Sequence, residues 1–320
     1  MNKAYPAISV VMSVFNGEHY LEEAVSSVLD QSMQDFELIV INDGSTDNTS
    51  DILDCLDDPR LKVVNQSNQG LTRSLNTGIV MAKGEYIARM DADDICEPDR
   101  LRWQYEEMQR RPRLALLGTW AVQIDNAGKE LERNHLPTGD VEIKAHIMQF
   151  NPFVHGSIML RKQVLDAVIG YRNDFRFAQD YDLALRLSEH YELGNLPEYL
   201  YLSRHNREMI SVSNNASQLA FAQLARMLHK ERLQDGTDAL ERGASVEELL
   251  PEVGDDIGMI KYYQHLISVK CRQGKAREAR SAVATLLSLT PYNPKLWAIG
   301  LATFLGPAGM RFVSRAWDRR

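Results

Sequence analysis

The first hundred residues alternate short apolar runs with helical stripes, and this alternation constrains the fold more than any other feature of the chain. Ile8–Val14 is a run rich in β-branched residues, after which Tyr20, Leu21, Ala24, Val25, Val28 and Leu29 recur at helical spacing. Phe36–Ile41 is a second run, closed by the turn residues Asn42-Asp43-Gly44-Ser45, and Asp47 is placed to cap a helix carrying Ile52, Leu53 and Leu56. Leu61–Val64 predicts a third strand, and Leu71, Leu75, Ile79 and Ala82 predict a helix stopped by Gly84. Glu85–Met90 predicts a fourth strand that runs directly into Asp91-Ala92-Asp93-Asp94, with Pro98 at the start of the next helix. Four β-α units in succession predict an α/β fold with a mainly parallel sheet flanked by helices. Such sheets bind ligands beyond the carboxyl ends of their strands. The polar residues at those ends are Ser13, Asp43 and the Asp91–Asp94 cluster, so all fall on one rim.

At 320 residues the chain is long enough for one large core, or one large and one small. A net charge of -8 argues against a nucleic-acid partner, which needs a basic surface. It leaves nucleotides open, because a metal can meet phosphate in place of lysines. Lys3 followed by the apolar run Ala7–Phe15 imitates a secretory leader, yet Asn16-Gly17 stands where a small-residue cleavage site belongs, so the run reads as a buried strand. Cys55, Cys96 and Cys271 are odd in number and form no disulfide or zinc pattern, which suits a reducing, cytoplasmic compartment.

Asn126-Ala127-Gly128 signals a hairpin, Ser157–Leu160 a strand, and Asp180 opens a helix with Leu183, Leu187 and Tyr191 on one side. From about Asn215 the pattern is helical throughout. The expected organisation is therefore a catalytic domain over 1–214 and an all-helical C-terminal region over 215–320. Within the latter, 260–293 is similar to one tetratricopeptide unit, with Tyr263, Leu266, Gly274, Ala279, Leu286 and Pro291 in the matching places. The chain closes with Leu296, Trp297, Ile299, Leu301, Phe304 and Leu305, then Arg311, Arg315, Arg319 and Arg320. That pattern suits peripheral contact with the inner face of a plasma membrane, or packing of the apolar residues on neighbouring helices.

Three carboxylates in four residues repel one another, so Asp91-Ala92-Asp93-Asp94 needs compensating charge. A hard divalent cation bridging a diphosphate supplies it. An isolated pair of this kind is more often a solvated acidic turn; its position on the binding rim favours the cation. Asp43 can accept hydrogen bonds from a base or ribose, or merely close a turn. Asp180 can serve as a base or only cap its helix. His155-Gly156-Ser157 is either a pocket loop or an ordinary approach to a strand, and His205 either a ligand or a surface histidine.

Taken in order, these segments resemble family 2 of the glycosyltransferases, the inverting family with the GT-A (Rossmann-like) fold. Ile8–Asn16 resembles its first strand, Asn42-Asp43-Gly44-Ser45 its DDGS, and Asp91–Asp94 its DADD. Asn76-Thr77-Gly78 and Lys83-Gly84-Glu85-Tyr86-Ile87 also fit, as do His155-Gly156-Ser157 and Gln179-Asp180-Tyr181-Asp182-Leu183. The likeness spans roughly 7–213. It implies that Ser13, Phe15, Asp43 and Asp91 bind the nucleotide and that Asp93, with Asp91 and His205, holds Mn2+ or Mg2+. It also implies that His155, Gly156 and Ser157 line the acceptor or donor pocket, and that Asp180 is the catalytic base. Phe15 in place of Tyr, Asn42 in place of Asp, Leu75 in place of Arg and Gln179 in place of Glu depart from the family pattern.

The implied reaction is a single displacement at the anomeric carbon. Asp180 takes the proton of an acceptor hydroxyl, and the metal neutralises the departing diphosphate. The implied donor is a nucleotide sugar, with UDP-sugars favoured, and the implied acceptor a saccharide or lipid-linked hydroxyl in surface polysaccharide or glycolipid assembly. A hydrolase on the same donor and a binding module without turnover are the alternatives. A nucleotidyltransferase is disfavoured because Asn16-Gly17-Glu18 lacks a basic, glycine-rich triphosphate loop.

Overall fold

The computed structural model describes residues 5–205, 215–250, 267, 271 and 276–289. The chain divides into two compact units, Met1–Val246 and Glu247–Arg320. In the first, strands β1 (Ile8–Val14), β2 (Phe36–Asp43), β3 (Leu61–Gln66) and β4 (Tyr86–Asp91) form parallel pairs in the order β3-β2-β1-β4. The order reverses between β1 and β4, the kind of switch point at which open α/β sheets bind ligands. Register makes the rim explicit: Ser13 is level with Asp91, and Asp43 with Gln66.

The second half of the sheet is mixed. It contains β5 (Ile95–Cys96), β6 (Leu114–Ile124), β7 (Glu130–Asn134), β8 (Met159–Arg161) and β9 (Glu192–Arg204), and continues the order as β8-β6-β9-β5, with β7 hairpinned onto β6. β8 runs antiparallel to both β4 and β6, whereas β9 runs parallel to β6. Register between β6 and β9 shifts beside Pro197, which lacks a ladder donor and is tolerated at such an irregularity.

Helices α1 (Leu21–Leu29), α2 (Thr49–Asp54), α3 (Leu71–Met81) and α4 (Arg100–Arg110) follow the strands as expected. α1 buries Leu21, Ala24, Val25 and Val28, one stripe at helical period. α3 meets β1 at Gly78, where a Cβ would stand 2.4 Å from a methyl of Val11, so only glycine lets this helix lie so close. α4 buries two polar side chains that tie strand ends together. Arg100 donates to the Arg89 carbonyl (2.7 Å), and Gln104 donates to the carbonyls of Leu117 (2.7 Å) and Ser157 (2.8 Å).

Further along lie α5 (Asp140–His146), α6 (Lys162–Ala167), α7 (Gln179–Ser188) and α8 (Asn215–Asp235). The first unit extends past the 214 boundary expected from sequence, because α8 carries partners for acidic groups buried around α7. Glu189 receives His229 (2.7 Å) and Arg232 (2.8 Å), while Asp238 receives Arg172 (2.6 Å) and Arg232. Buried charges persist only with such pairing. In the second unit a helix, α9 (Ala276–Leu289), buries Ala279 and Leu286; the other matching positions of the tetratricopeptide-like stretch lie outside the described residues, as does the arginine-rich tail. Among the described residues no helix is long and apolar enough to cross a membrane.

Candidate active site

Asp43 ends β2 with its carboxylate buried, and that carboxylate organises the wall of the rim. It accepts from Gln66 (2.7 Å), from the Gln69 N–H (2.8 Å) and from the Gly70 N–H (2.8 Å), fixing the loop that starts α3. Gly44 turns the chain immediately afterwards at φ +75°, with a Cβ position 2.7 Å from the Asn68 nitrogen, so glycine is required twice over. Asn42, where the family pattern has Asp, donates to Ser50 and Asn65 (2.9 Å each). Ser13 is partly buried at the end of β1, and the Phe15 ring is 53% exposed just beyond it.

The three carboxylates after β4 have different partners. Asp91 forms an ion pair with Arg89, and its N–H donates to the Tyr201 hydroxyl (3.2 Å). Asp94 is buried and accepts the Arg204 N–H (2.7 Å); burial, then Asp91 and Asp93, push its carboxyl well above the usual range. Asp93 accepts no side-chain hydrogen bond from another described residue, and burial together with Asp91 pushes its carboxyl up to about 6. Arg204 locks the turn from behind: it donates to the Asp93 carbonyl (2.9 Å), pairs with Glu23 (2.6 Å) and stacks over Tyr20.

His155-Gly156-Ser157 is a single 3-10 turn pressed against this cluster. A Cβ on Gly156 would stand 1.9 Å from the Tyr201 hydroxyl and 2.8 Å from an Asp91 carboxylate oxygen, so the turn and Asp91 are in direct apposition. His155 Nε2 bonds the Tyr171 hydroxyl (2.8 Å), and burial, then the nearby Arg89, drive the imidazole well below its usual value, which keeps it neutral. Ser157 does not line a pocket. It is fully buried, donates to the Val154 carbonyl (2.9 Å) and accepts from the Thr119 N–H (3.2 Å), and so anchors the turn to β6.

Asp180 opens α7 with part of its surface exposed. It accepts from Asn151 (2.7 Å), and burial raises its carboxyl against the opposing pull of the Tyr181 N–H, Arg89 and Asn151. The segment leading to it is held at both ends in left-handed backbone by non-glycine residues, Ile169 (φ 60°) and Ala178 (φ 51°). A β-branched residue there carries strain of about 1–3 kcal/mol. Arg186 offsets it by donating to the carbonyls of Val168 (2.7 Å) and Gly170 (2.9 Å), and is itself held by Asp182 (2.9 Å). From the other side Asn76 grips Tyr171 in both directions: it donates to the carbonyl (2.8 Å) and accepts from the N–H (3.1 Å).

The sequence-predicted residues Ser13, Asp43, Asp91, Asp93, His155, Gly156 and Asp180 thus gather around the carboxyl ends of β1, β2 and β4. His205 lies at the end of β9, one residue past Arg204. It is exposed, its N–H bonds the Ile124 carbonyl (2.7 Å), and no three His, Cys, Asp or Glu groups converge on one ion site among the described residues. Sequence reasoning missed Arg89, Asn151, Tyr171 and Tyr201. For Arg89 a signal existed: a cation inside the otherwise apolar strand Tyr86–Met90, two residues and therefore one strand repeat before Asp91.

The mixed sheet with carboxylates crowded at its switch point is the arrangement that the resemblance to GT-A transferases implies, and solved proteins of that fold share it. The chain matches Glycosyl transferase family 2 over residues 9–169 and belongs to that family; it is a glycosyltransferase. It is 30% identical over 223 residues to an uncharacterized glycosyltransferase of Haemophilus influenzae, covering 66% of this chain and 69% of that one. It is 29% identical over 214 residues to the amylovoran biosynthesis glycosyltransferase AmsE of Erwinia amylovora, covering 63% and 78%. Among solved structures, TarS 1-349 of S. aureus in complex with UDP-GlcNAc shares the fold at a TM-score of 0.56 and 16% identity, over 98% of this chain and 91% of that one.

Proposed function

We propose that the protein transfers one sugar, with inversion, from a nucleoside-diphosphate donor to a hydroxyl of a saccharide or lipid-linked acceptor during surface-polysaccharide or glycolipid assembly. The observation that carries this reading is the unequal partnering of the rim carboxylates. Asp91 and Asp94 are matched within the protein, whereas Asp93 has a raised carboxyl and accepts no hydrogen bond from the side chain of another described residue. AmsE is named for amylovoran biosynthesis, and the solved TarS complex holds UDP-GlcNAc, which makes a UDP-sugar the donor of first choice.

In this reading the exposed Phe15 ring stacks on the base, while Ser13 and Asp91 meet the nucleoside. Asp43 acts through the loop it holds. Asp93 would hold a divalent cation, Mn2+ or Mg2+. The donor set fits: a hard ion needs oxygen ligands, one carboxylate suffices when a diphosphate and water complete the shell, and an unpaired carboxylate of raised basicity demands a counter-charge. When bound, that cation neutralises charge on the leaving diphosphate. Asp180 takes the acceptor proton; its raised carboxyl, steadied by Asn151, is a stronger base than a free aspartate. His155, neutral and fixed by Tyr171, and Gly156 form the wall beside the reacting carbon. The arginine-rich tail would touch an anionic inner leaflet from the cytoplasmic side.

The test is incubation of the protein with a panel of nucleotide sugars, manganese and candidate lipid-linked acceptors, with the product detected by mass spectrometry and its anomeric configuration read by NMR. A glycosylated acceptor with inverted anomeric configuration is expected. Free sugar without any transferred product would establish a hydrolase instead, and a retained configuration would refute the single displacement.

A further inference from the structure

An aromatic cluster on the β6–β7 hairpin is not used by the proposed chemistry. Trp120 of β6, Tyr199 of β9 and His135, just past β7, converge there. Their ring centroids lie 4.6 Å (Trp120 to His135), 5.4 Å (Trp120 to Tyr199) and 5.6 Å (His135 to Tyr199) apart. Their polar atoms are engaged close at hand: the indole N–H donates to the Leu136 carbonyl (2.9 Å), and the Tyr199 hydroxyl is bonded to His135 Nε2 (2.6 Å). His135 is nevertheless exposed, and Trp120 and Tyr199 are only half-buried. Arg133, itself exposed, sets its guanidinium carbon 4.9 Å from the Tyr199 centroid and brings charged donors to the margin. Partly wet aromatic rings beside a hydrogen-bonding side chain have the composition of a binding site rather than of a core.

Strand register puts the cluster level with the rim. Leu117 of β6 is paired with Met159 of β8, which is paired with Ala88 of β4. Trp120 and Asp91, each three residues further along strands of the same direction, therefore stand at one height. The N–H of Thr119, next to Trp120, donates to Ser157 in the turn that carries His155 (3.2 Å). Asn195 joins the support of the cluster to that of Asp180. It donates to the Pro137 carbonyl (2.7 Å), beside Leu136, and to the Pro152 carbonyl (3.0 Å), beside the Asn151 that donates to Asp180 (2.7 Å). An acceptor whose hydroxyl lies at Asp180 thus has the cluster next to it. A saccharide matches its chemistry: a pyranose offers a C–H face to an aromatic ring and hydroxyls at its edge to a side chain such as Arg133, whereas a lipid chain calls for a broad apolar patch. We propose that Trp120, His135 and Tyr199 form a saccharide subsite that stacks a sugar ring of the acceptor. The assignment rests on the transferase reading, because only an acceptor held at Asp180 brings a sugar ring to these side chains.

His135→Ala removes one ring at an exposed position, where substitution is tolerated, and His135→Phe restores a ring without the imidazole. Trp120→Leu removes the largest ring of the cluster. Saturation-transfer NMR titrations measure binding of soluble oligosaccharides of glucose, galactose, N-acetylglucosamine and N-acetylgalactosamine. Calorimetry in manganese measures binding of a panel of nucleoside diphosphates by the same proteins. The parent is expected to bind at least one oligosaccharide. His135→Ala should weaken that binding about threefold or more and Trp120→Leu about tenfold or more, while His135→Phe stays within about twofold of the parent. All three variants should keep nucleoside-diphosphate affinity within about twofold, which also certifies a folded nucleotide site. A parent that binds a nucleoside diphosphate but no oligosaccharide would overturn the proposal and leave the transferase reading standing. So would oligosaccharide affinity unchanged in His135→Ala and Trp120→Leu, equal losses for oligosaccharide and nucleotide, or His135→Phe binding no better than His135→Ala. A parent that binds no nucleoside diphosphate would overturn the transferase reading, and the proposal with it.

Discussion

Replacing Asp93 with asparagine should make the metal-free protein more stable while removing its activity. The carboxyl of Asp93 is pushed from 3.8 to about 6 by burial and by Asp91. A carboxyl that holds its proton more tightly when folded is penalised for ionising in the fold. The penalty is fully present above about pH 6, shrinks as pH falls towards 4, and is absent below the unfolded value of 3.8. The gap between the two values corresponds to about 3 kcal/mol at neutral pH. Asp91 and Asp94 share the repulsion, so relief at one position is about 1–3 kcal/mol, or several degrees of melting temperature for a unit of this size. Asparagine keeps the shape and drops the charge. In a chelator the Asp93→Asn variant should therefore melt above the parent at about pH 8 and converge with it near pH 4. Manganese with a nucleoside diphosphate should raise the parent more than the variant, since a ligand stabilises only the state that binds it. Thermal unfolding with and without chelator across that pH range is the assay. A variant no more stable than the parent at about pH 8 in chelator would refute the electrostatic reasoning. An advantage that persists unchanged at about pH 4 would refute it equally.

Asp180→Asn should bind donor almost normally yet lose about a hundredfold or more in kcat, and with it the acid limb of the pH–rate profile, which in the parent lies above the ordinary aspartate range because burial raises that carboxyl. Survival of activity in that variant would reduce Asp180 to a helix cap. Asn76→Ala removes both bonds to the Tyr171 backbone; it should cost about 1–3 kcal/mol in stability and lower kcat more than donor affinity, whereas a fall in stability with an unchanged kcat would show that Asn76 only holds the fold together. Gly156→Ala forces a methyl against the Tyr201 hydroxyl and Asp91, and should depress kcat at least tenfold in a protein that still binds UDP; parental kinetics would mean the turn relaxes without consequence. Removing residues 307–320 should leave transfer to a soluble acceptor intact but lower sedimentation with anionic liposomes at low salt, and a full-length protein that never sediments would dispose of the membrane contact.

The first half of the fold is legible in the sequence because two physical signals coincide there. β1 and β2 are central strands buried on both faces, so they read as unbroken apolar runs, and the parallel order forces helices between them. The expected strand Phe36–Ile41 appears as Phe36–Asp43, lengthened by the two polar residues that pair with Asn65 and Gln66 of the next strand. The second half is less legible. β9 pairs through Pro197 with its register shifted, β8 is three residues long, and their partners are set by tertiary contacts rather than by period. The hairpin over β6 and β7 was readable only because Asn126-Ala127-Gly128 supplies turn chemistry, with Gly128 at φ +79°.

The same division explains which site residues the sequence exposes and which it hides. Asp43, Asp91, Asp93 and Asp180 stand at strand ends or a helix start, where local pattern predicts their position and a carboxylate is conspicuous. Arg89, Asn151, Tyr171 and Tyr201 reach the site from a strand interior, two loops and a distant strand, so their convergence depends on packing between segments up to 110 residues apart. Their work is also of a different kind. Asp182 holds Arg186, which holds the strained turn at Ile169; that turn and Asn76 then fix Tyr171, and Tyr171 fixes His155. None of the links that lead to His155 needs to touch a substrate; each holds the next in place through hydrogen bonds. A network of that sort narrows the positions open to His155 and Asp180 before any donor arrives, which is where pre-paid orientation in a displacement reaction comes from. It follows that the second half of the sheet, whose strands and loops carry Asn151, Tyr171 and Tyr201, contributes little visible chemistry but sets the geometry in which the legible carboxylates act.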